Sequence, residues 1–218
     1  MKTGTDAVLL GAWADVEKAT SILDIGTGSG LIALILAQRT SIEIKIDAVE
    51  IEEEDASQAK ENVAQSPWPD KIQIHNTPIQ EFKPGKKYNL IVSNPPFFNN
   101  SMLPPSDKRK SARHTQSLSY DDLLYSVKQL IMDDGIFAIV LPVKEGNAFI
   151  SQAQFHGLYC RRQLAIYTRE GKPQERWLIE LSRTPGAVNI EKLVLYDQGQ
   201  ERSDGYKKLT SDFYLQNG

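Results

Sequence analysis

The chain has 218 residues, 25 Lys+Arg against 28 Asp+Glu, a formal charge of −3, three histidines and one cysteine. The length suits one large α/β domain, or a domain with a small appendage. One thiol excludes an internal disulfide framework and a cysteine metal cluster, three scattered histidines argue against zinc, and a net acidic chain is no general nucleic-acid binder, so any such surface has to be local. No apolar run approaches the ~20 residues of a membrane span and no signal peptide is visible, which makes the cytoplasm the expected location.

The opening, Met1 to Trp13, reads as a helix capped by Thr5 or Asp6, with Ala7, Leu9, Leu10 and Trp13 on its apolar face. Ser21 to Ile25 is a short buried strand running into Asp24-Ile25-Gly26-Thr27-Gly28-Ser29-Gly30, and an apolar helix, Leu31 to Gln38, follows. Strand, glycine turn and helix form the first half of a Rossmann-like unit, in which glycines let backbone approach a ligand and the helix N-terminus offers N–H groups. The spacing is Gly-x-Gly-x-Gly; a dinucleotide fingerprint wants its third glycine where Leu31 stands. The pattern therefore points away from NAD and toward a nucleoside cofactor without a pyrophosphate.

The second strand, Ile44 to Val49, ends in Glu50, a carboxylate placed to accept both hydroxyls of a ribose. The alternative is a surface glutamate in the acidic run Glu52, Glu53, Glu54 and Asp55, which opens the next helix, Glu53 to Gln65, where acids favour the dipole. Lys71 to His75 is the third strand, and Asn76-Thr77-Pro78-Ile79 after it would border a bound base. The fourth, Tyr88 to Ser93, runs into Asn94-Pro95-Pro96-Phe97. Two prolines end that strand, and the first holds Asn94 extended. The Asn94 side-chain oxygen and the Pro95 carbonyl then form a rigid pair of acceptors beside an aromatic ring, which suits a planar substrate carrying NH2; the plainer reading is a Pro-Pro turn with phenylalanines packed beneath it. Repeated strand–helix units predict a parallel sheet with helices on both faces and a ligand beyond the carboxyl ends of its strands, where all four of these features fall.

Asn99 to Ser119 is a long polar loop carrying Lys108, Arg109, Lys110, Arg113 and His114. Loops of that length in a compact domain are functional or disordered. Next come a helix, Tyr120 to Met132, capped by Ser119; a Gly135 turn; a fifth strand, Ile136 to Leu141; and a helix, Lys144 to Phe155. Leu158 to Thr168 and Arg176 to Ser182 close the sheet, joined by the hairpin-like Glu170-Gly171-Lys172-Pro173, so the last strand is expected to run antiparallel. The tail adds a short strand, Lys192 to Tyr196, and the stretch Tyr206 to Tyr214. With no repeat and no linker, residues 1–218 are expected to form a single domain, with a cofactor half over 1–98 and the loop, closing strands and tail over 99–218.

In order and spacing the chain resembles the class I methyltransferases, which use S-adenosyl-L-methionine: Asp24 to Gly30 matches their cofactor turn, Glu50 their ribose carboxylate, and Asn94-Pro95-Pro96-Phe97 the signature of the branch acting on planar nitrogens. More narrowly, Met1-Lys2-Thr3-Gly4-Thr5-Asp6-Ala7-Val8-Leu9-Leu10-Gly11-Ala12-Trp13, the Ala112-Arg113-His114 segment and the tail from Tyr206 to Leu215 resemble the bacterial tRNA (adenine-37-N6) methyltransferases acting on valine tRNA, a likeness covering nearly the whole chain. Members of that family carry a short segment ahead of the motif on which this chain opens. The resemblance implies a mostly parallel seven-stranded sheet with helices on both faces and an antiparallel last strand. It implies cofactor contacts from Thr5, Asp6, Asp24, Gly26, Thr27, Gly28, Gly30, Glu50, Ile51, Pro78, Ile79 and Asn94, catalysis at Asn94, Pro95, Pro96 and Phe97, and RNA contacts from Lys108, Arg109, Lys110, Arg113 and His114. Many methyltransferases place an aspartate after the third strand to bind the cofactor's adenine; here Thr77, Pro78 and Ile79 stand there, so backbone atoms are expected to make that contact. The implied partner is the anticodon loop of tRNA, with no metal and no membrane, and the chain is expected to be a monomer, with a homodimer as the alternative. Rival readings are the same chemistry on a release-factor glutamine, on guanine N2 of ribosomal RNA or on DNA adenine, and a non-catalytic cofactor-binding RNA scaffold.

Overall fold

The computed structural model describes residues 4–96, 118–199 and 201–214. Its centre is one sheet of β1 (Ser21–Ile25), β2 (Lys45–Glu50), β3 (Ile72–Asn76), β4 (Tyr88–Ser93), β5 (Ile131–Pro142), β6 (Tyr159–Tyr167), β7 (Gln174–Ser182) and β8 (Asn189–Val194), in the order β3-β2-β1-β4-β5-β7-β6-β8. Six helices accompany it among the described residues: α1 (Thr5–Trp13), α2 (Leu31–Arg39), α3 (Glu53–Ala64), α4 (Tyr120–Leu130), α5 (Val143–Phe155) and α6 (Asp204–Thr210).

Side chains alternate across the strands, and the alternation sorts the core into two layers. Ile22, Leu90 and Val140 join the cluster under α1, α2 and α6, while Leu23, Ile91 and Ile139 join the cluster under α4 and α5. β1 to β5 are parallel; β7 runs antiparallel to both β5 and β6.

Four expectations are corrected here. The sheet has eight strands rather than seven, because the tail strand joins it beside β6 and parallel to that neighbour; β7, the run expected to reverse, is antiparallel and lies between β5 and β6. α1 starts at an uncapped Gly4 rather than on a Thr5 or Asp6 cap, because the Asp6 carboxylate instead accepts from Arg176 Nε at 3.0 Å. α1 is also buried all round, from Val8 to Trp13, rather than on one face. It lies so close to α2 that a Cβ on Gly11 would stand 2.9 Å from Ile35 Cγ2. β5 begins at Ile131, five residues before the expected start, because residues 132–135 bulge between the pairs Tyr88–Ile131 and Leu90–Ile136. Gly135 permits the bulge, since a Cβ there would stand 2.6 Å from Ile131 Cγ1 and 3.0 Å from the Tyr88 carbonyl oxygen.

Two cations close helix C-termini, where the last carbonyls have no intrahelical donor. Arg39 Nη1 donates to the Gly11 and Ala14 carbonyls at 2.6 and 2.8 Å. Lys71 is buried, its Nζ donating to the Ala37 and Thr40 carbonyls at 2.7 and 2.8 Å, and burial draws its pKa downward. Among the described residues no helix is long and apolar enough to cross a membrane.

Lys71→Met keeps the apolar stem and removes the donors, leaving the end of α2 without them. It should cost about 2–3 kcal/mol of stability. Urea unfolding should show a lower midpoint at an unchanged slope; an unmoved midpoint would mean water caps α2 equally well.

Candidate active site

The carboxyl ends of β1, β2 and β4 lie side by side, with Ile25 opposite both Val49 and Ser93. Beyond Ile25 the chain folds back over β2, and the Gly26 and Thr27 amides donate to the Val49 carbonyl at 2.9 and 3.1 Å. Gly26, Gly28 and Gly30 have φ of 71°, 55° and 84°, a region L side chains rarely adopt. Nothing lies within 4 Å of a Cβ built on Gly26 or Gly28, so the turn faces open space and not packed protein. Gly30 caps α2, whose first N–H groups lie beyond it. Asn62 Nδ2, from α3, supports the turn by donating to the Ser29 carbonyl at 2.8 Å.

Two carboxylates meet here in different surroundings. Glu50 Oε2 accepts from the Gly28 amide at 2.8 Å and Oε1 from the Glu52 amide at 3.0 Å. A carboxylate offers about four acceptor directions, so Glu50 has capacity left for two hydroxyls. Asp24 is fully buried; its Oδ2 accepts from the Thr27 hydroxyl at 2.6 Å, and among the described residues its Oδ1 has no hydrogen-bond partner. Burial pushes the Asp24 carboxyl up to about 7, against the pull of the Thr27 hydroxyl and the Ala33 amide and with a small addition from Glu50.

The bends after β2 and β3 are fastened together. Asn76 Nδ2 donates to the Glu50 and Ile51 carbonyls, both at 3.0 Å, and the Thr77 amide donates to the Glu50 carbonyl at 3.0 Å. Pro78 is half-buried, Ile79 is packed into the core and Ile51 is 47% exposed, so this rim offers backbone and a proline ring to a flat base. On the other side, the Ser93 hydroxyl donates to the Ile25 carbonyl at 2.9 Å and pins β4 to β1. Asn94 is half-buried, Pro95 buried and Pro96 exposed.

Asp24, the glycine turn, Glu50, Ile51, Pro78, Ile79 and Asn94 to Pro96 are thus brought to one edge. Thr5 and Asp6 reach that edge farther along, because Arg176, the partner of Asp6, is paired with Pro142 at the carboxyl end of β5. Phe97, Lys108, Arg109, Lys110, Arg113 and His114 lie outside the described residues. The sequence alone does not single out Asn62 or Arg176, and it places Asn76 and Ser93 at this edge without showing the bonds that fasten it. Nothing local marks Asn62, and Arg176 meets Asp6 across 170 positions of sequence. Among the described residues no group of three or more His, Cys, Asp or Glu could hold a metal.

An orphaned buried carboxylate oxygen, an open glycine turn and a carboxylate with spare acceptors fit a cofactor that carries an ammonium group and a ribose. On a sheet of this order, that site defines a class I methyltransferase. Residues 3–141 match the methyltransferase small domain family. Over 99% of its length the chain is 43% identical to the tRNA1(Val) (adenine(37)-N6)-methyltransferase of Pectobacterium carotovorum, covering 88% of that protein. The chain belongs to the tRNA1(Val) (adenine(37)-N6)-methyltransferase family; it is an enzyme, and its cofactor is S-adenosyl-L-methionine. In fold it is similar to a predicted O-methyltransferase from Agrobacterium tumefaciens, with a TM-score of 0.71 at 16% identity over 98% of this chain and 100% of that one. It is also similar to a glycopeptide N-methyltransferase solved with S-adenosyl-L-methionine, with a TM-score of 0.57 at 11% identity over 77% and 89% of the two chains.

The Asp24 environment sets a pH dependence. The folded chain keeps this proton up to about 7, whereas the group's ordinary value is 3.8. Between those values the folded state binds more protons than the unfolded one, so this group's contribution to stability falls as pH rises through the window. Asp24→Asn removes the titration. Its melting temperature relative to wild type should therefore rise between about pH 4 and about pH 8; a constant difference would mean that Asp24 is ionised throughout.

Proposed function

We propose that this enzyme transfers a methyl group to N6 of adenine 37 in a valine tRNA, with Asn94 and Pro95 holding the amine. The observation that carries the reading is the Asn94-Pro95-Pro96 turn, pinned by Ser93 to the strand that bears the glycine turn, in a chain of this family. The N6 lone pair is delocalised into the base and is a weak nucleophile. When bound, S-adenosyl-L-methionine supplies a methyl already activated by its sulfonium. The chain's part is then positioning and exclusion of water.

The Asn94 side-chain oxygen and the Pro95 carbonyl accept the two N6 hydrogens. This fixes the amine and favours the pyramidal nitrogen that develops as the new N–C bond forms, a stabilisation specific to the transition state. The alkylated nitrogen is a strong acid and releases its proton to water, so no dedicated base is assigned. Phe97 would stack on a base turned out of the anticodon loop. Glu50 would take the ribose hydroxyls of the cofactor, the unpartnered Asp24 oxygen would offer an acceptor for its ammonium, and the backbone of Pro78 and Ile79 would border its adenine.

The described histidines have other partners: His75 Nε2 meets Asp47 at 2.6 Å and His156 Nε2 meets Asp121 at 2.8 Å. Cys160 is buried, which pushes its thiol up to about 11 and makes it a poor nucleophile. A tRNA substrate supports a cytoplasmic site of action.

The test is to incubate the enzyme with labelled S-adenosyl-L-methionine and total tRNA and to map the labelled nucleoside. N6-methyladenosine at position 37 of valine tRNA is expected. Label at another nucleoside, or only on protein, ribosomal RNA or DNA when these are supplied, would overturn the substrate. Asn94→Ala should lower turnover on the order of 100-fold while leaving affinity for S-adenosylhomocysteine within a few-fold; near-normal turnover would remove Asn94 from the mechanism. Glu50→Ala should weaken S-adenosylhomocysteine binding by about 10- to 100-fold, since it loses two charge-assisted bonds, and unchanged calorimetric affinity would sink that role.

A further inference from the structure

The carboxyl edge of the sheet is polarised along its length. At the β2 end stand Glu50, Glu52, Glu53, Glu54 and Asp55. Past the Asn94 turn stand Lys144 in the first turn of α5, Arg169 and Lys172 in the β6–β7 hairpin, and Arg176 near the start of β7. Among the described residues Lys144, Arg169 and Lys172 form no ion pair. The acids around them are mostly engaged: Glu170 with Lys192 at 2.7 Å, Glu175 with the Thr168 hydroxyl, and Asp6 with Arg176. Glu145, half-buried, is the remaining acid there.

Register fixes the height of Arg176. Ser93 pairs with Ile139, Ile139 with Ile179, and Pro142 with Arg176. β4 leaves the sheet after Ser93, three residues short of the level of the Pro142–Arg176 pair, so the Asn94–Pro96 turn emerges on the edge where Arg176 stands, two strand spacings or about 10 Å across the sheet. The guanidinium is also oriented by the protein itself: Nε donates to Asp6 at 3.0 Å and Nη1 to the Glu175 carbonyl at 3.0 Å. A half-buried arginine held in a fixed fork suits a phosphate better than a freely rotating lysine does. The other basic pair of this region is spoken for at the opposite edge. Arg161 donates to the Thr184 and Pro185 carbonyls, and Arg162 pairs with Glu180 and Glu191 and lies over the Trp13 ring.

We infer that Arg176 is a substrate-positioning residue: aimed by Asp6, it meets a phosphate beside the target adenine, with Lys172 and Arg169 extending the contact along the strand. The inference rests on the tRNA reading above. It gives Asp6 a role on the RNA side of the site, exercised through Arg176.

The alternative is that the pair only staples α1 to β7. A double-mutant cycle separates the two, using Arg176→Gln, Asp6→Asn and both together, with Arg176→Lys as the variant that keeps the charge. Each is measured for KM and kcat on a valine tRNA transcript, salt dependence of tRNA binding, affinity for S-adenosylhomocysteine, and melting temperature. Arg176→Gln should weaken tRNA binding by about 10-fold and flatten the log–log salt slope by about 0.7, with S-adenosylhomocysteine affinity unchanged. Arg176→Lys should fall between wild type and Arg176→Gln. Asp6→Asn should give a smaller loss that vanishes in the Arg176→Gln background. A lowered melting temperature with tRNA affinity and salt slope unmoved would overturn the inference, as would Asp6→Asn weakening S-adenosylhomocysteine binding without touching tRNA. Wild-type enzyme that binds the transcript but does not methylate it would instead overturn the proposed function, and the binding arm of the cycle would still decide on Arg176.

Discussion

Two consecutive residues at the end of β2 hold the cofactor turn in shape. The Val49 carbonyl receives the Gly26 and Thr27 amides, and the Glu50 side chain receives Gly28 and Glu52. β1 and β2 pair in parallel immediately beneath, so the turn is fastened to the strand beside the one it leaves. The consequence is preorganisation. The left-handed glycines and the first amides of α2 are fixed by the protein's own hydrogen bonds, so binding orders little backbone that these bonds do not already order. The same carboxylate that shapes the turn retains acceptor directions its backbone partners do not use.

The site separates two acids by environment. Glu50 is satisfied by backbone N–H groups at the rim, whereas Asp24 is enclosed beneath the turn with one oxygen unpartnered. A pair of carboxyl groups in unlike surroundings acquires unlike tasks. The rim acid keeps acceptors that hydroxyls could fill; the enclosed acid is an uncomfortable group that a cation would relieve.

Much of this was legible in the chain itself. Short apolar runs ending in Asp24, Glu50 and Ser93, separated by helical segments, give parallel strands whose functional residues share one edge, and all three runs are strands. The reversal of β7 followed from a short link too small for a crossover. What could not be read depends on contacts distant in sequence or on backbone crowding. Nothing local to Asn189–Val194 shows that it pairs with β6, since its two faces carry mixed residues and its exposed Ile190 resembles a loop side chain. Gly135 reads as a turn because the close Tyr88 carbonyl that demands it comes from another strand. Asp6 reads as a helix cap because caps are local, whereas its partner Arg176 is supplied by the far end of the fold.

The reversed β7 has a consequence for how the surface is built. A parallel strand reaches the carboxyl edge only after a helical crossover of a dozen or more residues, and its loop there is constrained by the helix that must follow. A hairpin delivers two chain segments to the same edge with a tip between Tyr167 and Gln174, where Gly171 takes a left-handed φ of 76° and Glu170 to Pro173 are exposed. That tip can lengthen, shorten or change its charge without moving a helix or shifting the register of β5. The turns after β1, β2 and β3 have no such freedom, because they are bonded to one another. The architecture thus pairs a fixed cassette for a common reagent with an adjustable rim beside it, which lets one scaffold exchange the molecules it modifies while the chemistry stays in place.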